Sequence, residues 1–154
     1  APAAARVVRK DYDYAFEEEK YRGAPDIRLH EIDVARPLEI AGERIVPVSG
    51  HHSERFEVTG YRIGRMAYLT DFKTIADAEV GKLIGVELLV VNALRFRPHP
   101  SHFNVEEALA LIARVAPRRA LITHVSHEIG RHAATTALLP RGVELAYDGL
   151  EIII

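Results

Sequence analysis

Four apolar, strand-like stretches of this chain run into imidazoles or a carboxylate. IVPVSGHH reaches His51 and His52, MAYLTD reaches Asp71, LLVVNALRFRPHPSH reaches His99 and His102, and ALITHVSH reaches His124 and His127. Side chains placed just past strand ends gather along one rim of a sheet, where α/β folds put their ligand sites. Histidine with aspartate is the donor set of a zinc-type hydrolytic centre. The chain has no cysteine, so any metal held within it must be bound by His, Asp or Glu. The pattern therefore reads as a metallohydrolase site, and as part of one, because the dense His and Asp cluster that usually opens such a site is absent.

Each residue also has a plainer reading. Asp71 after MAYLT is able to bridge two cations about 3.5 to 4 Å apart, and equally able to cap the following helix or sit solvated in a loop. His124 and His127 leave the same apolar strand, which favours a metal ligand over two independent capping histidines. Their spacing does not force both onto one ion. His51 and His52 point to opposite sides of an extended chain, so only one can face a shared centre. His102, behind Pro100-Ser101, could serve as a neutral base, proton donor or phosphate contact, or be a solvent-exposed loop residue. Arg95 is a nearby cation for which a structural ion pair is the preferred reading.

The elements that must position these groups follow from pattern. Apolar residues over 3–16 approximate a helical stripe, Ile27–Ile32 alternates as a short strand, and Leu38–Ile40 with Ile45–Val48 forms a hairpin about Ala41-Gly42. Phe56–Ile63 and Met66–Leu69 pair about Gly64, followed by a helix over Ile75–Leu83. The run Val86–Val91, apolar but for Glu87, is a strand buried on both faces. Asn104 with Glu107 signals a capping box opening a helix over Val105–Val115. Ala120–Ile122 is a short strand, Arg131–Leu138 a helix, and VELAY-DG-LEIII a closing hairpin turned by Asp148-Gly149. Strands early and alternating strand and helix late predict an α/β sandwich in one domain over 1–154.

Composition narrows the function classes. With 48% hydrophobic and 27% charged residues the chain is globular in character, and no apolar run reaches the roughly 18 residues of a membrane span. A formal net charge of -2 weighs against a nucleic-acid partner. A cytoplasmic location and a homodimer fit this composition. The beginning, APAAARVVRK, has neither an initiator Met nor a secretory signal and reads as a cut end.

The blocks YRIGRMAYLTD, VNALRFRPHPSHFNVEEAL, ALITHVSHEIG and LAYDGLEI, in that order, resemble the C-terminal portion of metallo-β-lactamase-fold hydrolases. Within that family the resemblance is to the branch of phosphoribosyl 1,2-cyclic phosphate phosphodiesterases. It implies an αββα sandwich, here incomplete, with a binuclear Zn or Mn centre on one edge. It also implies metal-ligand roles for His52, Asp71 and His124, with Asp71 bridging. His51 stays open as an alternative to His52, because an extra residue separates His52 from Gly60. His102 resembles the active-site histidine that positions or protonates the substrate phosphate. His127 resembles a ligand of a separate structural zinc whose cysteine partners this chain lacks. The family's H-x-H-x-D-H block is missing, which implies a fragment that is inactive alone. The implied reaction is hydrolysis of a small cyclic phosphodiester. A nucleic-acid phosphodiester or lactone substrate, or a non-catalytic binding module, are the competing readings.

Overall fold

The computed structural model describes residues 2–154, with side chains from residue 4 onward, and divides into units 1–36 and 37–154. In the first unit the expected helix forms as α1, Pro2–Asp11, followed by a 3-10 turn at Asp13–Ala15. The expected strand at Ile27–Ile32 does not form. Ile27, Leu29 and Ile32 are half-buried while Arg28, His30 and Glu31 are exposed, so the alternation sorted the side chains. It supplied no backbone partner, and a strand exists only as part of a ladder.

The second unit is built on one seven-stranded mixed sheet whose strands lie in chain order. Strands β1 (Leu38–Ile40), β2 (Glu43–Ser53), β3 (Phe56–Ile63) and β4 (Met66–Leu69) are antiparallel neighbours. From β4 onward the pairing is parallel, through β5 (Leu88–Asn92), β6 (Arg119–Thr123) and β7 (Val143–Leu145). Parallel neighbours need crossovers, and these carry α2 (Asp77–Gly81), α3 (Val105–Val115) and α4 (His132–Thr136). Both α2 and α4 are shorter than the apolar pattern suggested. The α/β class is as expected.

All five residues of β5 are buried, as its unbroken apolar run requires. Leu89 and Val91 join the main core with Leu69, Phe72, Leu111, Ile112 and Ile122. Leu88 and Val90 face the other way, onto Leu121, Met66, Leu150 and Ile152. That second contact explains why LEIII forms no closing hairpin. After the turn at Asp148-Gly149, Leu150 and Ile152 cover the sheet face with side chains and do not pair with β7 through backbone.

Local chemistry fixes α3 most firmly. Glu107 N–H donates to Asn104 Oδ1 at 2.8 Å and Asn104 N–H donates to Glu107 Oε2 at 2.8 Å, a complete capping box. Glu107 also holds Lys73 Nζ at 2.6 Å, tying the start of α3 to the loop after β4.

Candidate metal centre

Asp71 and His124 each lie just past a parallel strand, beyond the ends of β4 and β6 respectively. Both adopt left-handed backbone, with φ of 64° and 58°. Only four non-glycine residues do so among those described, and two of them are these. Such conformations cost free energy in non-glycine residues and persist where the surroundings enforce them.

The enforcement is visible around Phe72. Buried Asn92, the last residue of β5, accepts from Phe72 N–H at 2.8 Å and donates its amide to Phe72 C=O at 2.9 Å. The same carbonyl accepts from Phe103 N–H at 2.8 Å, so one peptide group anchors the residues that follow Asp71 and His102. The Phe72 ring lies over Gly50, where a Cβ would fall 2.2 Å from a ring carbon. This close approach brings the Asp71 loop against β2.

On β2, the ladder with β3 slips by one residue between His51 and Ser53, leaving His52 without a partner in register. This β-bulge accommodates the extra residue seen in the sequence and re-aims the side chain. His52 is half-buried and belongs to the cluster, whereas His51 is exposed and lies outside it. His52 Nδ1 lies 3.0 Å from the backbone oxygen of Asp71. A carbonyl only accepts, so Nδ1 bears the proton and Nε2 of the neutral ring is left bare. That is the tautomer of a metal-ligating histidine held by an outer hydrogen bond.

Donor atoms of His52, Asp71 and His102 all lie within 4.8 Å of one another. Tighter still is the triangle of Asp71 Oδ1, His102 Nε2 and His124 Nε2, with edges of 3.2, 3.1 and 3.4 Å. Ligands about 2.0–2.1 Å from a tetrahedrally bound zinc stand about 3.3–3.4 Å apart. An ionised carboxylate accepts only, so Asp71 Oδ1 takes a hydrogen bond from His102 Nε2 when that nitrogen carries a proton, and a shared cation satisfies all three atoms when the nitrogens are bare. The donor set therefore fits a divalent cation. Thr70 Oγ1 lies 3.2 Å from the other carboxylate oxygen, Oδ2, which leaves Oδ1 turned to the histidines.

His102 is the most enclosed member, its side chain 13% exposed against 38% for Asp71 and 39% for His124. Burial pushes its pKa below the ordinary histidine value; the Asp71 hydrogen bond opposes this, and His52, His124 and His99 reinforce it. His102 is not a strand-end residue, since it lies ten positions past Asn92 in the loop before α3. His99 belongs to the same group, with its ring centroid 5.0 Å from that of His102.

His127 stays apart. It is exposed at the start of a 3-10 turn, and it joins no group of three metal donors among the described residues. Arg95 pairs with Glu128, which also takes Arg97, as the ion-pair reading expects. Arg95 and then Arg97 hold the Glu128 carboxyl below its usual range. Sequence reading gave Asn92, Phe72 and Gly50 no role. An amide ending a fully apolar strand is the signal that could have marked Asn92.

Residues 1–125 match the family model described as beta-lactamase superfamily domain. The chain is 33% identical to a solved structure described as a new diphosphatase from the PhnP family, with a TM-score of 0.86, over 97% of this chain and 55% of that one. The metallo-β-lactamase fold protein YhfI from Bacillus subtilis is 16% identical at a TM-score of 0.68, over 92% of this chain and 59% of that one, a likeness of fold. A curated protein of Porphyromonas gingivalis named octanoyltransferase is 36% identical over 148 residues, 96% of this chain and 30% of that one. The shared stretch is less than a third of that protein, so the transferase name does not carry across. The chain spans about half the length of the diphosphatase it matches.

Proposed function

The chain belongs to the metallo-β-lactamase-fold hydrolase family, and from that premise we propose that it supplies one side of a phosphoesterase centre acting on small phosphodiesters, cyclic phosphates among them. The observation that carries this reading is the convergence of Asp71 Oδ1, His102 Nε2 and His124 Nε2 within 3.4 Å, beside a His52 whose Nε2 is free. The diphosphatase likeness supports hydrolysis at phosphorus over hydrolysis of a lactone.

In this proposal His52, Asp71 and His124 hold the cation. A bound divalent ion supplies a water of lowered pKa and positive charge against the phosphoryl oxygens. His102 is left neutral by its enclosure. Its Nε2 takes a proton from the attacking water and returns it to the leaving oxygen, as general base and then general acid. A binuclear Zn or Mn centre needs donors beyond these three, and residues 1–154 contain no H-x-H-x-D-H block. The proposal therefore places the remaining donors in further protein. His127 as a structural-zinc ligand would need partners from the same source.

Calorimetric titration of the chain with Zn²⁺ and with Mn²⁺ tests the site, the expected result being saturable binding that Asp71→Ala abolishes. Competition between cyclic ribose phosphates and linear dinucleotides, assayed on protein carrying the complete donor set, then tests the substrate class. No retained metal in the unsubstituted chain would remove the proposal's basis.

A further inference from the structure

His102 and His124 reach the centre on separate loops, one following β5 and the other following β6. At their base the loops prolong the parallel ladder. Ala93 N–H donates to Thr123 C=O at 3.0 Å, and Ser126 N–H donates to Leu94 C=O at 2.9 Å. Beyond Leu94 the two backbones share no further hydrogen bond among the described residues. Apart from the contact of His102 with His124 itself, the side-chain bonds that cross from one loop to the other there are those of Glu128. Its carboxylate accepts from Arg95 Nη1 on one oxygen and from Arg97 Nη2 on the other.

The two arginines are not equivalent. The Arg97 side chain is 75% exposed, so water can take the place of Glu128 there, and such exposed pairs contribute little. Arg95 is 24% exposed and Glu128 27%. The Arg95 Nε is buried without a partner, and its Nη2 donates to Pro98 C=O at 3.1 Å. A guanidinium is a rigid planar fork, so the bond from Nη1 to Glu128 also aims Nη2 at Pro98, four residues before His102. Past His102 the loop is held by Phe103, whose N–H donates to Phe72 C=O and whose C=O accepts from Leu94 N–H at 2.9 Å. Glu128 itself stands on a fixed turn. Its N–H donates to Ser126 Oγ at 3.2 Å, and the C=O of the next residue, buried Ile129, accepts from Thr135 Oγ1 at 2.8 Å. We propose that Glu128 is a positioning residue: through Arg95 and Pro98 it holds the loop of His102 against the loop of His124, and so sets the 3.1 Å approach of their Nε2 atoms. The consequence for catalysis rests on the hydrolase reading; the placement of the loop does not.

The imidazoles of His102 and His124 are stacked with ring centroids 4.8 Å apart, which puts their carbon-bound protons within reach of cross-relaxation. Proton NMR of the full chain without metal, recorded above the ordinary histidine pKa, reads this contact directly. The expected cross-peak should be lost in Glu128→Ala, kept in Arg97→Ala, and kept in Glu128→Gln, whose amide oxygen still accepts from Arg95 Nη1. Amide signals of β2 to β4 should stay in place in all three, which separates a displaced loop from a lost fold. If Glu128→Ala does not fold, Arg95→Lys puts the same question, since an ammonium cannot span Glu128 and Pro98 as the fork does, and the cross-peak should be lost there too. In protein carrying the complete donor set, Glu128→Ala should lower kcat by about 10- to 100-fold, the scale of a misplaced catalytic group, with KM and metal content unchanged. Glu128→Gln should restore most of it. A cross-peak that survives in Glu128→Ala, equal losses in Glu128→Ala and Arg97→Ala, or an unaltered kcat would each overturn the proposal. The expected cross-peak pattern in a chain that binds no metal would sink the hydrolase reading alone.

Discussion

Asn92 grips Phe72 by both of its backbone polar groups, at 2.8 and 2.9 Å, from inside a strand that is otherwise wholly apolar. The pair fixes the peptide next to Asp71, and through the shared Phe72 carbonyl it fixes Phe103 next to His102. Two site residues from distant parts of the chain thus hang on one buried amide.

Asn92→Leu, close in volume, should leave the Phe72 N–H unpaired and weaken the hold on its carbonyl. Each buried polar group left unsatisfied costs about 1–3 kcal/mol, so a loss of about 2–4 kcal/mol is expected in urea denaturation. Metal affinity should fall with it. An unchanged denaturation midpoint would contradict the clamp.

Gly50→Ala should destabilise the fold by about 1–3 kcal/mol, the range for overpacking, because the new Cβ meets the Phe72 ring at 2.2 Å and Thr74 C=O at 2.8 Å. Trimming the ring in a Gly50→Ala/Phe72→Leu double variant should recover part of that loss. Additive losses would place the strain elsewhere.

Asp71→Asn should separate charge from conformation. Asparagine tolerates left-handed backbone, so thermal unfolding should shift little, while the loss of the carboxylate should cut metal affinity by at least about tenfold. His52→Ala should do the same to metal binding and exposed His51→Ala should not. Calorimetry on the three variants checks the set, and a His51→Ala defect matching that of His52→Ala would reverse the assignment.

The metal-free chain should lose stability on mild acidification. Burial, as the leading cause, lowers the pKa of both His102 and His99 in the folded state, with Arg95 and Lys73 acting further on His99. Between those lowered values and the ordinary value of about 6.5, the unfolded chain binds more protons than the folded one. Stability is therefore full above that ordinary value and declines as pH falls through the folded values. Glu128 acts in a separate, more acid window, because its own pKa is lowered from the carboxylate range. Denaturant midpoints across the histidine range check this, and His102→Gln should flatten the slope.

What sequence determined by itself was whatever depends on neighbours in the chain. The capping box of Asn104 and Glu107 and the apolar run of β5 specify their elements through local hydrogen bonding and burial, so α3 spans the residues expected and β5 lies within two of them. The residue types at Asp71, His102 and His124 announced the donor chemistry for the same reason. Tertiary structure decided what depends on partners far along the chain. Ile27–Ile32 alternates like a strand yet finds no ladder, and LEIII packs on a sheet face and does not extend the sheet. A one-residue slip in the β2–β3 register brought His52 into the cluster and left His51 exposed, and a loop contact 3.2 Å long made His99 the neighbour of His102. Periodicity states which side of the backbone a residue occupies; only the assembled sheet fixes which atoms lie across from it.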